Sequence, residues 1–227
     1  MNILYVNTCF WGGGAEKVSR QLYYGLKNED VKTYFIAGRY QRGVPDDIEI
    51  IYETFLERAF SLCMGFLNHN FLFRTFLAKK RIKDLILKEK IDIVHFHNIH
   101  GNYISPADIK EIRKYCKNII FTLHDMWLIT GCCFHGMSCD QWMDFGKCKK
   151  CRGNEYLKRG TIRARIYLKS KFKNLSKCNF CFVSPSKWLI NCCRHSYLRA
   201  EDIHWIPNGI NIDTFCELEK SAVRKKY

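Results

Sequence analysis

Short apolar runs alternate along this chain with stretches whose apolar residues return every three or four positions. The runs occupy 3–6, 33–37, 91–96, 119–123, 179–183 and 204–206. Nearly continuous apolar segments of strand length suit a parallel sheet buried on both faces, and the helical patterns between them supply the crossovers. The pattern predicts an α/β domain built on a doubly wound, parallel, Rossmann-like sheet. Ligands of such sheets lie beyond the carboxyl ends of the strands. That rule singles out 9–14, 97–101, 124–127 and 184–187.

The first of these boundaries is the most informative. The run Ile3-Leu4-Tyr5-Val6 gives way to Gly12, Gly13 and Gly14, after which Ala15, Val18, Leu22 and Leu26 recur at helical spacing. A glycine turn between strand and helix lets backbone N–H groups approach a ligand, and the helix N-terminus favours a phosphate. Lys17 stands where a dinucleotide fingerprint would place its last glycine, which disfavours a plain NAD site. Glycines also answer a turn's own backbone need, so a phosphate cradle and a structural turn both fit here.

Two insertions interrupt the alternation, and no internal repeat is legible. Residues 53–90 are rich in Phe and Leu and end basic; an amphipathic surface helix, a helix pair capping an acceptor cleft and ordinary core packing all fit. Residues 130–153 carry Cys132, Cys133, Cys139, Cys148, Cys151 and His135. Four thiolates within one glycine-containing loop suit structural zinc, with Cys133, Cys139, Cys148 and Cys151 as the expected ligands and Cys132 or His135 as substitutes. A loop of reduced thiols is the alternative. Cys178, Cys181, Cys192 and Cys193 lie in apolar or helical contexts and read as small core residues.

With 227 residues, 47% of them hydrophobic, the chain can bury a substantial core. No run of eighteen uncharged apolar residues occurs and the N-terminus opens directly on a strand, so the expected location is cytoplasmic and the cysteines are expected as thiols. The net charge is +15, and twelve Lys or Arg against the single Glu155 fall between Lys147 and Lys177. This stretch reads as a surface: either a solvated helical face or a contact with anionic lipid at the inner face of the membrane. Nucleic acid is disfavoured, since no recognised module surrounds the charge.

His95 and His97 share one face of the third run, and His124 and Asp125 close the next. With His100 they form a group suited to metal binding or to acid–base and hydrogen-bonding roles. Its position at the expected crevice lifts His124 above an ordinary core histidine.

Assembled, these segments resemble the N-terminal, acceptor half of a GT-B glycosyltransferase of family 4. The resemblance rests on Gly12-Gly13-Gly14-Ala15-Glu16, Asp92-Ile93-Val94-His95-Phe96-His97, Thr122-Leu123-His124-Asp125-Met126-Trp127, Ser184-Pro185-Ser186-Lys187 and the run from Ile206-Pro207-Asn208-Gly209 to Phe215. The Thr-Leu-His-Asp-Met-Trp segment followed by the cysteine loop is similar to an exopolysaccharide or colanic-acid-type subgroup. The resemblance implies retaining transfer from a nucleoside-diphosphate sugar without a catalytic metal, so zinc would be structural. It places Gly12, Gly13 and Gly14 against the donor diphosphate and His124 beside the reacting sugar, where a hydrogen bond can stabilise developing charge. Glu16, His97, Asn98 and Asp125 would line the acceptor side, with Lys187, Asn208 and Gly209 as further binding residues. The acceptor would be a sugar, including a polyprenyl-diphosphate-linked glycan. Residues 1–206 are expected to form the acceptor domain and 207–227 the hinge and the beginning of a donor domain. The family's donor motifs lie beyond that hinge, so the chain is expected to need a donor domain, separately encoded or missing, and to be inactive alone. A non-catalytic glycan- or lipid-carrier-binding module is the alternative.

Overall fold

The computed structural model describes residues 1–227 except 28–29, 52–69, 102, 132, 137–138, 144–159, 200, 213, 216–218, 222–223 and 225–227; for 70–75 and 160–163 it describes the backbone only. The strands are β1 (Asn2–Asn7), β2 (Lys32–Ala37), β3 (Glu49–Ile50), β4 (Ile93–Phe96), β5 (Asn118–Thr122), β6 (Cys181–Ser184) and β7 (Asp202–Trp205). The helices are α1 (Gly14–Leu26), α2 (Asn70–Glu89), α3 (Pro106–Ile112), α4 (Gly160–Leu175) and α5 (Lys187–Arg194). All strand pairings are parallel, in the order β3-β2-β1-β4-β5-β6-β7. The chain therefore winds outward from β1 in one direction and from β4 in the other. The switch point between them is where a doubly wound sheet opens its ligand crevice.

Alternation along the strands divides the core into two layers. Leu4 and Val6 of β1, with Val94, Phe96, Ile119, Phe121 and Phe182, pack against Ile82 and Leu85 of α2, Ile109 and Ile112 of α3, Leu168 of α4 and Leu189 of α5. On the opposite face Ile3, Tyr5, Phe35 and Ala37 meet Tyr23 of α1 and Phe10. Tyr23 and Phe35, with ring centroids 5.6 Å apart, meet edge to face, as do Phe10 and Phe35 at 5.1 Å, the offset geometry that aromatic quadrupoles favour. Farther along this second face Ile93, His95, Ile120, Cys181 and Val183 are only half-buried.

Each predicted strand run overlaps an observed strand, with ends displaced by at most two residues. The two-residue β3 lies in the short apolar stretch Ile48-Glu49-Ile50-Ile51, which is not among the predicted runs. Helix α1 forms where the periodicity places it, but rotated. Ser19 and Tyr23 face the sheet while Leu22 is exposed, because Tyr23 both fills the aromatic layer and donates its hydroxyl to Asp47 at 2.8 Å. Helix α3 begins at a capping box in which Ser105 and Asp108 bond each other's backbone N–H, with Pro106 in the first turn, where its missing N–H costs nothing.

Two further readings are corrected. Lys171 is fully buried rather than part of a basic surface, its ammonium donating to the carbonyls of Trp127, Thr130 and Gly131. Cys178, Cys192 and Cys193 are buried, but Cys181 is partly exposed and so is not core filling. Most of the aromatic insertion lies outside the described residues; within α2, Phe76 is exposed and Ala78, Ile82, Leu85 and Ile86 are buried. No described helix is long and apolar enough to cross a membrane.

Candidate active site

The segments leaving β1 and β4 are knotted together by short polar side chains. The backbone N–H and hydroxyl of Thr8 both donate to the Asn98 carbonyl at 2.8 Å, and the hydroxyl also reaches the His100 carbonyl at 2.9 Å. In return, the Asn98 N–H donates to Oδ1 of buried Asn7 at 2.9 Å. Asn7 and Thr8 escaped the sequence reading, although two polar residues directly after an apolar strand were a visible signal.

Beyond them the chain passes Phe10 and Trp11 into the glycines. Gln41 clasps this entry: its Oε1 accepts from the N–H groups of both Phe10 and Trp11, and its Nε2 donates to the Trp11 carbonyl, each at 2.8 Å. Arg20 adds a bond to the Phe10 carbonyl and stacks 4.8 Å from the Trp11 ring centroid. Nothing in the local sequence marks Gln41, since its partners are thirty residues away. Gly12 has φ +155°, a conformation that favours glycine, and a Cβ there would also press on the Glu16 side chain at 3.0 Å. Gly13 is the N-cap of α1 and provides no side-chain cap. The first N–H groups of the helix are thereby left for a ligand or water.

The histidines converge beside this turn. Nδ1 of His97 and Nε2 of His124 lie 3.0 Å apart, with rings stacked at 5.3 Å, and the tilted ring of His95 lies 4.4 Å from that of His97 while its Nε2 meets the Thr122 hydroxyl at 2.8 Å. The expected shared face of His95 and His97 is thus present, backed by the Tyr5 ring. Desolvation, helped by His124, pushes His95 down to about 3. Desolvation, with His95 and His124 adding to it, holds His97 well below its ordinary value. For His124 desolvation again lowers the value, opposed by the carboxylates of Asp125 and Glu16. The imidazoles are therefore neutral near pH 7, and one proton is shared across the His97–His124 contact. The other nitrogen of His97, Nε2, is buried and has no hydrogen-bond partner among the described residues.

His97, Asn98, His100, His124, Asp125 and Trp127 line a single cleft at the carboxyl ends of β4 and β5. Asp125 accepts from the Trp127 N–H at 2.7 Å, and its other oxygen lies 3.2 Å from Nε2 of His100, within ion-pair range but out of hydrogen-bond alignment. Glu16 bends back over Gly12 and Gly13 and acts electrostatically on His124, which ties the glycine turn to the cleft. Lys187 stands apart: it is exposed at the start of α5, 4.1 Å from the Trp205 ring centroid. Asn208 and Gly209 belong to an exposed segment outside the cleft lining. Among the described residues the four histidines do not gather as metal ligands; the group with ligand geometry is Cys181, Asp202 and His204. Of the expected zinc ligands, Cys133 and Cys139 are half-buried thiols, and Cys148 and Cys151 lie outside the described residues.

The family model for Glycosyltransferase Family 4 matches residues 12–214. The chain is 25% identical, over 242 aligned residues, to a protein described as "Putative colanic acid biosynthesis glycosyl transferase WcaC" of Escherichia coli (strain K12), an alignment covering 94% of this chain and 56% of that protein. The crystal structure of a glycosyltransferase from Rickettsia africae ESF-5 has the same fold, with TM-score 0.53 at 16% identity, over 99% of this chain and 48% of that one. The chain spans about half the length of each.

Proposed function

Because the chain belongs to glycosyltransferase family 4, we propose that it is the acceptor-side half of a sugar transferase of surface-polysaccharide assembly. In this reading it works with a donor-binding domain to move a sugar, with retention of configuration, from a nucleoside diphosphate to an acceptor. The observation that supports the reading is the His97–His124 pair, set in a cleft at the carboxyl ends of β4 and β5, next to the sheet's switch point and an uncapped glycine turn. The donor domain is supplied by a further stretch of chain or by a separate protein. The acceptor is a glycan on a polyprenyl diphosphate at an anionic membrane surface, and the cysteine loop holds a structural zinc through Cys133, Cys139, Cys148 and Cys151.

The geometry supports a division of roles. His97 fixes the ring of His124 and its tautomer, and a neutral imidazole donates a hydrogen bond to the reacting sugar without bringing a charge that would repel the leaving group's counter-charges. The N–H groups at Gly14 and the next residues of α1 meet the diphosphate, while Glu16, Asn98 and Asp125 orient acceptor hydroxyls.

The test is sugar transfer by these 227 residues alone, by the same residues joined to a family donor domain, and by the joined enzyme carrying His124→Ala. Transfer is expected only from the joined enzyme, and His124→Ala lowers its turnover about 100-fold or more with donor binding little changed. An unimpaired His124→Ala enzyme removes that residue from the mechanism. Robust transfer by the 227 residues alone overturns the half-enzyme reading.

A further inference from the structure

At the opposite end of the sheet from the cleft, where β6 and β7 begin, three side chains of different chemistry meet. The parallel register pairs Cys181, the first residue of β6, with Asp202, the first of β7, and pairs Val183 with His204. Residues two apart on a strand share a face, so Asp202 and His204 point the same way as Cys181. One ligand atom from each (a sulfur, a carboxylate oxygen and an imidazole nitrogen) lies within 4.8 Å of the other two, and Nε2 of His204 is 2.9 Å from Oδ1 of Asp202. Tetrahedral zinc bonds of about 2.0–2.3 Å set neighbouring ligand atoms about 3.3–3.6 Å apart, so small side-chain rotations complete the geometry. Asp202 and His204 are exposed and Cys181 is partly so, giving an ion a path in and water room for a fourth position.

We propose that Cys181, Asp202 and His204 bind one divalent ion of the zinc class. The thiol selects the class, because a sulfur ligand beside imidazole suits zinc or cobalt and not magnesium or calcium. On binding, the Cys181 thiol gives its proton to solvent as the sulfur–metal bond forms, and no oxidation occurs. The ligands stand on two hydrogen-bonded strands, so their spacing is set by the sheet. The ion clips the edge strand β7 to β6 immediately before the chain leaves the domain at Ile206, which makes the site a staple and not a part of the reaction.

The experiment titrates the chelator-treated 227-residue protein with Co²⁺ and then Zn²⁺, beside Cys181→Ser and His204→Gln, with Mg²⁺ as control. The wild-type protein is expected to take up one equivalent more than either variant, with part of the thiolate-to-cobalt absorption lost in Cys181→Ser. Zn²⁺, and not Mg²⁺, is expected to raise its thermal midpoint further than that of the variants. The cysteine loop contributes equally to all three proteins, so the difference between them is the readout. Both substitutions fall at partly or fully exposed positions, and the midpoints of the metal-free proteins check that folding is retained. Equal uptake and equal midpoint shifts in the three proteins overturn the proposal.

Discussion

His97 touches two other imidazoles, and all three are kept from protonation by their surroundings. A histidine whose folded-state value lies below the ordinary 6.5 takes up protons in the unfolded chain first, so its stabilising effect is complete above pH 6.5 and is lost as the pH falls toward the folded value, about 3 for His95. Each such group contributes up to about 1.4 kcal/mol per pH unit, discounted for the partial exposure of His95 and His124. Urea unfolding is therefore expected to show a loss of roughly 2–4 kcal/mol between pH 7.5 and 5.5, a range in which most carboxylates stay ionised. A pH-independent midpoint would show that the cluster is not desolvated. The histidines themselves were legible in the sequence, because strand ends are where a doubly wound sheet puts its ligands. Gln41 and Lys171 were not, since each acts on backbone groups thirty or more residues away and no local pattern encodes that contact.

The loop carrying His124 is also shaped by α4. The buried ammonium of Lys171 gathers three carbonyls of the 127–131 turn, and Gly131 lets the helix backbone approach so closely that an added Cβ would stand 2.5 Å from the Ala164 carbonyl oxygen. Backbone cannot swing aside as a flexible side chain does. Gly131→Ala is thus expected to push α4 off the loop and to cost about 1–3 kcal/mol, read as a lower thermal midpoint with faster amide exchange across 126–131. An unchanged midpoint would mean that the helix docks more loosely than its carbonyl contact indicates. Elements with strong periodicity were legible in advance, as β1, α1 and β5 illustrate. The turn of α1 about its axis was not, because the best-packing residue proved to be Tyr23, amphipathic and absent from a count of aliphatic positions. The apolar signal for β3, from Ile48, Ile50 and Ile51, is short, and only two residues there pair with β2.

On the scale of the whole molecule, charge and apolar surface coincide outside the cleft. Arg165, Lys169 and Lys173 of α4 are exposed together with Ile166 and Phe172. Such a face suits an anionic lipid surface, with each basic residue contributing about 1 kcal/mol. Sedimentation with vesicles is expected to show salt-sensitive binding to anionic and not neutral lipid, weakened several-fold when Lys169 and Lys173 are both changed to Gln. Equal binding to both lipids would refute it. The exposed segment that leaves β7 follows a different course. The Ile206 N–H is anchored on the Ser184 carbonyl, and the Phe215 ring comes within 5.6 Å of the Lys17 ammonium at the start of α1. From β7 to β1 is four strand spacings, about 19 Å, so ten residues carry the chain from the sheet's edge to the glycine turn. A domain joined there by a short flexible link would face the turn at an effective concentration in the millimolar range. A weak intrinsic affinity for this face would then suffice to hold such a domain against the turn, leaving it free to part and return.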